Sequence, residues 1–515
     1  VEHNTLPTIE PPPRRPRPTW QAPPRDVLPG LEIRRAPGLF LGNVRGRPFA
    51  HNPQGHEALA LLSPRALQLL HAADGRTAAD IAQTLASDPE DMQRWLDEVP
   101  LLLRNGFVLA PEVQPWRPTG KSERVFNTWL HLTNACNLAC PYCYIHKSSA
   151  HMTEDVATRV LRSIEATAAS GQVDRVHVRF AGGEPMLRFQ AMQQFFTDAT
   201  STCEKHGVKF SAAVLTNGTV VPPGATAWLV ANGVQVSVSM DGLGELQDVM
   251  RPVKSQTGTG GGSFERLQAG LDAYFRAGIR PYVLITVGDS NLDGLPALTS
   301  WLLERKLWFR YSLVRDLEWG EGLLDDRHGA EESRVEGAQP GILAGESLRR
   351  MQRVFGLCYD LIEGAVARGE VQGFRSSHKF CDLEPWRPIA KACGAGDSYL
   401  AIAESGEISP CQAALHHPGT QPVRPESLLT QARAQTQFTA FRRESGNPTC
   451  NACRWKPSCA GGCPLLLYRR EGHVDGRSPY CEVFRAVLPR ILRIAALELV
   501  VQQAKRLPPL EPRAA

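Results

Sequence analysis

Cys136-Asn137-Leu138-Ala139-Cys140-Pro141-Tyr142-Cys143 follows directly on an apolar, strand-like run from Val125 to Leu132. Its three cysteines are spaced C-x3-C-x2-C. Thiolates this close together can enclose one soft-metal core, and Cys thiolates are the usual ligands of iron–sulfur clusters. A [4Fe–4S] cube held by only three cysteines keeps one iron open to a substrate or cofactor. Zinc is the competing reading. Zinc ligands, however, usually come as C-x2–4-C pairs with a matching second half, which this loop does not offer.

The 515-residue chain is long enough for two or three domains and a large core. A formal net charge of +4 is small for that length and makes no electrostatic case for nucleic acid. No charge-free apolar run of membrane-spanning length appears, and the first residues are Pro/Arg-rich rather than an apolar signal segment. A soluble, cytoplasmic protein with no membrane or nucleic-acid partner is therefore expected. Ten of the 13 cysteines fall into tight spacings, which in such a chain reads as metal ligation rather than disulfides.

Outward from the cysteine loop, strand-like runs alternate with helical ones. The strands are Val125–Leu132, Arg175–Phe180, Lys209–Leu215, Val234–Ser239, Pro281–Val287 and Trp308–Val314. Helical patterns such as Glu154–Ala169, Gln190–His206 and Phe264–Ala277 lie between them. Six βα units predict an α/β fold, a partial (β/α)6 TIM-type barrel over residues 124–320, with its chemistry on the loops after the strands. Phe180-Ala181-Gly182-Gly183-Glu184-Pro185 ends the second strand, where glycines allow close backbone approach and a carboxylate can meet an ammonium. Thr216-Asn217-Gly218 follows the third strand; Ser239-Met240-Asp241-Gly242 follows the fourth, with Arg251 beyond. Gly258-Thr259-Gly260-Gly261-Gly262 lacks the ending and preceding strand of a phosphate loop and is read as a flexible connection.

The cysteine spacing with Tyr142 before the last Cys, together with the Gly-Gly-Glu-Pro loop, resembles the radical SAM superfamily. The resemblance implies that Cys136, Cys140 and Cys143 hold a [4Fe–4S] cluster whose open iron chelates S-adenosylmethionine. It implies that Gly182, Gly183, Glu184 and Pro185 bind the methionine amino group. Tyr142 and Thr216 would line the cofactor site, and Ser239, Asp241 and Arg251 would make ribose or carboxylate contacts. An electron passed into the cofactor would release methionine and a 5′-deoxyadenosyl radical that abstracts hydrogen from the substrate.

Further on come Cys393, Gly406 and Cys411, then Cys450, Cys453, Cys459, Cys463 and Cys481. Seven cysteines so arranged, with Cys459-Ala-Gly-Gly-Cys463-Pro464, resemble the SPASM domain (386–485) and imply two auxiliary [4Fe–4S] clusters. A zinc ribbon is the alternative, since C-x2-C serves both. The resemblance gives Cys450, Cys453, Cys459 and Cys481 to a distal cluster and Cys393, Cys411 and Cys463 to a nearer one. An eighth ligand is missing; sulfatase maturases place it where this chain has Arg387, and Cys381 is the replacement considered. Without it the nearer cluster has an open iron. Cys203 and Cys358 read as buried apolar residues.

Residues 1–28 are Pro-rich and read as a disordered tail. Between 29 and 115, short strands near Leu31–Arg34 and Gly38–Asn43 precede three helices, begun by Ser63-Pro64, by Thr77 with Asp80, and by Asp88. Phe107-Val108-Leu109 reads as a wing strand. This unit resembles the winged-helix, PqqD-like recognition element that binds leader peptides by strand addition. A DNA-binding winged helix fits poorly, because the helix after Asp88 carries Asp91, Asp97 and Glu98 against Arg94. Residues 321–385 are expected to be a helical bridging region, with a mobile loop over Glu318–Gln339, and 486–515 a closing helix and tail.

The leading expectation is a radical SAM peptide maturase that crosslinks side chains of a ribosomally made precursor. That precursor would dock on the N-terminal unit, and flavodoxin or ferredoxin would supply electrons. The alternatives are a sulfatase-type maturase making formylglycine and a non-enzymatic iron–sulfur regulator. The first places an Asp after the second SPASM cysteine, where this chain has Gln412.

Overall fold

The strands form where apolar and β-branched residues alternate with polar ones, as a pleated element with one buried face requires. The computed structural model describes residues 22–114, 123–254, 262–315, 346–415, 420–435, 446–471 and 473–506. The calls on the tail before residue 22, on Gly258–Gly261 and on the whole Glu318–Gln339 loop lie outside these residues.

The N-terminal unit runs β1 (Glu32–Arg35), β2 (Phe40–Val44), β3 (Arg47–His51), β4 (Leu59–Leu61), α1 (Pro64–Ala72), β5 (Asp74–Thr77), α2 (Ala78–Leu85), α3 (Pro89–Leu96), α4 (Val99–Arg104) and β6 (Val108–Leu109). Its strands make two three-stranded sheets, β5-β1-β6 and β2-β3-β4. The expected wing strand is thus β6, paired with β1. Ser63 Oγ accepts from Ala66 N at 2.9 Å and Thr77 Oγ1 from Asp80 N at 3.1 Å, so both caps form. Asp80, shorter than the usual Glu, takes the Thr77 hydroxyl at 2.7 Å. Two expectations fail here. The three helices are four, because Pro100 cannot occupy a helix interior and instead sits in the first turn of α4. Strands β3, β4 and β5 were not expected.

The main layer contains β7 (Val125–Thr133), α5 (Glu154–Ala169), β8 (Arg175–Gly182), α6 (Phe189–Glu204), β9 (Lys209–Thr216), α7 (Ala225–Ala231), β10 (Gln235–Ser239), α8 (Glu245–Met250) and α9 (Ser263–Arg276). It continues with β11 (Tyr282–Val287), α10 (Leu295–Glu304), β12 (Phe309–Leu313), α11 (Glu346–Ala367), α12 (Phe374–Ser377) and β13 (His378–Phe380). After these come β14 (Tyr399–Ile402), β15 (Glu407–Ser409), β16 (Gln421–Pro422), α13 (Leu428–Ala434), α14 (Pro448–Asn451), α15 (Lys456–Cys459), α16 (Pro464–Glu471) and α17 (Cys481–Arg506).

One sheet has the order β13-β12-β11-β10-β9-β8-β7-β14-β15-β16. All pairs from β13 to β14 are parallel, and the last two are antiparallel. The six expected strands are present, but the sheet does not stop there. The stretch expected to be a helical bridge adds β13 beside β12, and the cysteine-rich region adds β14 beside β7. Helices cover one face, packing Val176, Val178, Phe180, Ile285, Phe309 and Tyr311 into the main core. Cys203 and Cys358 lie in that core, fully buried as expected. Arg490 and Arg493 of α17 reach Asp360 and Glu363 of α11. No described helix is long and apolar enough to cross a membrane.

The β2-β3-β4 sheet has two apolar faces. Ala50 and Leu62 face the N-terminal helices, whereas Val44, Phe49 and Leu59 join the core that contains α17. Arg493 donates to Asn43 O at 2.9 Å, and the Phe40 and Trp455 rings lie 5.3 Å apart.

Candidate active site and cysteine arrays

The cysteine loop leaves β7 at Thr133 and is tied down along its length. Thr133 Oγ1 donates to Ala150 O at 2.8 Å, Lys147 Nζ to Leu138 O at 2.7 Å, and Ala139 N to Pro252 O at 2.8 Å. Leu138, beneath the loop, is buried. The Gly182-Gly183 pair lies directly against this backbone. Gly183 N donates to Thr133 O at 2.7 Å and Glu184 N to Ala135 O at 2.8 Å. Gly182 has φ +120, and a Cβ there would lie 2.3 Å from Thr133 O; one on Gly183 would lie 2.0 Å from Ala135 O. These glycines are therefore required for the second loop to seat under the first, an interaction the sequence did not reveal.

Glu184 is completely buried. Thr216 Oγ1 and Asn217 N each donate to it at 2.7 Å, and Met186 N at 3.0 Å. Burial pushes its carboxyl up to about 7 against those donors. Pro185 begins the short turn Pro185–Arg188 that Glu184 caps. Asp241, also fully buried, is the other hub. Its carboxylate accepts from Tyr142 OH, from Arg251 Nε at 2.7 Å and from Thr286 N at 2.7 Å. Gln247 Oε1 accepts from Asp241 N at 2.7 Å, and Arg251 stacks over the Tyr142 ring at 5.5 Å. Tyr142, Asp241 and Arg251 are thus brought together, bracing the cysteine loop against β10 and β11. Ser239 is half-buried at the end of β10.

Cys136, Cys140 and Cys143 are all half-buried. Burial raises the Cys136 thiol and pushes Cys140 up to about 11; Lys147 pulls both down, and Arg251 adds to this at Cys140. Both feel Cys143, so the three sulfurs share one locality. Leu138 N lies 3.4 Å from Cys136 Sγ, and Asn217 Nδ2 donates to it across 3.8 Å. Such donors stabilise thiolate sulfur in a cluster. Asn217 also bonds Asn137 Oδ1 at 2.9 Å; neither amide was singled out as a site residue, because side-chain donors to sulfur carry no spacing signature.

Two further constellations lie in the C-terminal region. Cys450, Cys453, Cys459 and Cys481 line one cavity of about 310 Å³, with Arg454, Lys456, Arg477 and Arg485. The Cys459–Cys463 turn explains how neighbouring cysteines part. Ala460, Gly461 and Gly462 all have positive φ (47, 86 and 93), and this left-handed run turns Cys463 away from that cavity. Cys463 instead joins Cys393, Cys411 and Cys381 around an Arg315–Asp382 ion pair of 2.8 Å. Arg315 Nη2 also donates to Cys381 Sγ at 3.3 Å. Cys381 reaches this place because it immediately follows β13, its N–H donating to Tyr311 O at 2.8 Å. Arg387 is exposed and faces Glu384 at 3.5 Å. Gln412 Oε1 accepts from Tyr399 OH at 2.6 Å.

Among the described residues no three His, Cys, Asp or Glu side chains converge as the ligands of a single ion would. A cubane spaces its thiolates more widely than one ion does. All-thiol sets with N–H donors and cations beside them suit iron–sulfur chemistry, and a coordinating thiol is deprotonated by its metal despite burial.

Residues 130–297 match the family model of the radical SAM superfamily. The chain carries a radical SAM domain. It is an enzyme, with a [4Fe–4S] cluster and S-adenosylmethionine as cofactors. Mycofactocin maturase MftC of Mycolicibacterium smegmatis is 26% identical over 365 residues, 69% of this chain and 81% of that relative. An uncharacterized protein of Archaeoglobus fulgidus is 25% identical over 378 residues, 72% of this chain and 81% of its own length. The solved structure of native anSMEcpe with bound AdoMet and Kp18Cys peptide has a TM-score of 0.55 at 17% identity, covering 72% of this chain and 99% of that one. That likeness is one of fold. The three cysteines that would hold the cluster of the radical SAM domain follow the C-terminal end of β7, and Gly182–Pro185, Thr216 and Ser239–Asp241 lie at the ends of β8, β9 and β10.

Proposed function

We propose that this enzyme modifies a ribosomally made precursor peptide, joining side chains within it. The observation that carries this reading is the likeness to mycofactocin maturase MftC over 365 residues, far beyond the radical SAM domain itself. When bound, the cluster and S-adenosylmethionine supply a carbon radical able to take hydrogen from an unactivated C–H bond. The chain's own residues hold and orient. Cys136, Cys140 and Cys143 are the cluster's ligands; Asn217 and Leu138 N–H groups steady Cys136. Glu184 and Asp241 act through the loops they tie together, with Ser239 at the rim. We assign Cys450, Cys453, Cys459 and Cys481 to a distal auxiliary cluster and Cys381, Cys393, Cys411 and Cys463 to a nearer one. The second set is supported by the shared Arg315–Asp382 pair. The precursor docks on residues 29–115 as in a PqqD-like element.

Gln412, occupied by the Tyr399 hydroxyl, supplies no carboxylate base, which weighs against formylglycine formation. The one cation of α3, Arg94, pairs with Glu90, and Asp91 pairs with Arg65, which weighs against α3 as a DNA-reading helix. The test is co-expression with short open reading frames encoded nearby, followed by mass spectrometry. A precursor lacking two hydrogens, with 5′-deoxyadenosine formed in step, is expected; turnover of S-adenosylmethionine with every such peptide unchanged sinks the reading. Hydrogen exchange tests docking separately. Added precursor should slow exchange within residues 29–115, and protection confined to the barrel would remove the docking role.

A further inference from the structure

The face of the sheet turned away from the helices carries two arginines that meet no acid among the described residues. Alternation along β8 sets Arg175, His177 and Arg179 opposite Val176, Val178 and Phe180, which are packed in the helix-covered core. Along β12 it sets Arg310 and Ser312 opposite Phe309, Tyr311 and Leu313. Arg175 is paired with Glu123 at 2.9 Å. Arg179 has only a neutral partner, donating to Asn127 Oδ1 at 3.0 Å. Arg310 makes no ion pair among the described residues, and its Nε is buried without an acceptor. The Ser312 hydroxyl on the same face is likewise buried and unpartnered.

Both arginines project from the same face of one sheet, Arg179 from β8 and Arg310 from β12, and lie close enough to act on one another. Burial lowers the pKa of Arg179, and Arg310 lowers it further, while Tyr399 opposes them. Tyr282 feels Arg310 in turn. His177, hydrogen-bonded to Ser211 Oγ at 2.9 Å, is pushed down to about 4 by burial and the arginines, so it is neutral. Two half-buried guanidiniums on one face of the sheet, with no counter-charge among the described residues, are costly to a fold. An arriving anion relieves that cost, and the planar guanidinium fork fits a carboxylate with two parallel hydrogen bonds. Arg179 stands three residues before Gly182 on the strand that ends in the loop seated under the cysteines.

We propose that Arg179 and Arg310 form a carboxylate-binding subsite that holds an acidic group of the peptide, a side-chain carboxylate or the C-terminal one. This rests on the peptide-modifying reading above and gives the substrate a chemical requirement. The subsite anchors the peptide so that a neighbouring residue reaches the radical.

The test uses the full-length, cluster-replete enzyme with S-adenosylmethionine and three capped peptides: acetyl-Gly-Val-Gly acid, the same peptide as its amide, and acetyl-Gly-Asp-Gly amide. Binding is read by saturation-transfer NMR, without turnover. At least one acid should bind and the neutral amide should not; which acid binds tells the chain terminus from the side chain. Arg179→Gln and Arg310→Gln should each weaken the acid about tenfold or more and leave S-adenosylmethionine affinity unchanged, while Arg310→Lys should lose less than Arg310→Gln. Cluster absorbance and thermal melting establish that the variants fold. Equal binding of all three peptides, binding of none, or acid binding indifferent to both substitutions overturns the proposal. So does a parallel loss of S-adenosylmethionine, which would give the arginines to the cofactor. Because no modification is scored, failure of the maturase reading would show separately, as peptides that bind and stay unmodified after reduction.

Discussion

Cys381 and Glu184 show how differently two side chains declare themselves. Cys381 stands outside every spacing pattern in the chain, yet β13 delivers it beside Arg315, Asp382 and the three cysteines of the nearer array. Cys381→Ser should therefore remove one cluster's complement of iron and change the electron paramagnetic resonance spectrum of the reduced enzyme. Cys203→Ala, in the core, should leave both intact. Equal iron in the two variants would strike Cys381 from the ligand set. Glu184 was legible as part of a loop motif, but its environment was not. Its three donors come from residues 186, 216 and 217, and only the fold brings the last two there. Glu184→Gln turns one acceptor into a donor that faces N–H groups, at a cost of about 1–3 kcal/mol. Urea unfolding should register that loss, with cluster content falling alongside.

At the scale of elements, the six expected strands of the main sheet and their long helices were readable to within a residue or two, because each carries a sustained period. Glu154–Ala169 is a helix over those very residues. Short elements were not readable. A strand such as His378–Phe380, or the β2–β4 meander, has too few residues to show alternation and exists because its neighbours supply hydrogen bonds. The Gly-Gly loop makes the same point through sterics. Its motif was visible, whereas its reason, contact with Thr133 O and Ala135 O, required two loops some fifty residues apart to meet. Gly183→Ala places a methyl 2.0 Å from Ala135 O and must displace the cysteine loop, costing about 3 kcal/mol. The variant should bind less iron at the radical SAM site while keeping its auxiliary iron; unchanged cleavage of S-adenosylmethionine would contradict this.

For the molecule as a whole, the N-terminal unit is joined to the rest through a small, sensitive seam. His51 on β3 is buried and its Nε2 meets Pro385 O at 2.6 Å, on the loop that begins with Cys381. Burial pushes His51 down to about 4 from 6.5, with Arg375 adding to the effect. The folded state thus binds fewer protons than the unfolded chain between those values. The seam's stability is complete above about 6.5, and up to about 3 kcal/mol is lost as pH falls toward 4. His51→Gln, which keeps a donor but cannot charge, should flatten that slope in pH-dependent thermal melts. An equally steep slope in the variant would place the acid sensitivity elsewhere.

The sheet order carries a consequence for how the chain is made. Strand β7, bearing the cysteine loop, has β8 on one side and β14 on the other, and β14 is encoded more than 260 residues later, at Tyr399–Ile402. During synthesis from the N-terminus, β7 stays an unpaired edge until Ile402 has cleared the ribosome. An open apolar edge invites association with other chains. A protein truncated before residue 399 should accordingly precipitate, where one ending after β16 stays dispersed. The cysteine loop likewise cannot gain the bond from Asn134 Nδ2 to Glu404 Oε1, 2.7 Å, until residue 404 has emerged, so its final support is among the last contacts the growing chain can make.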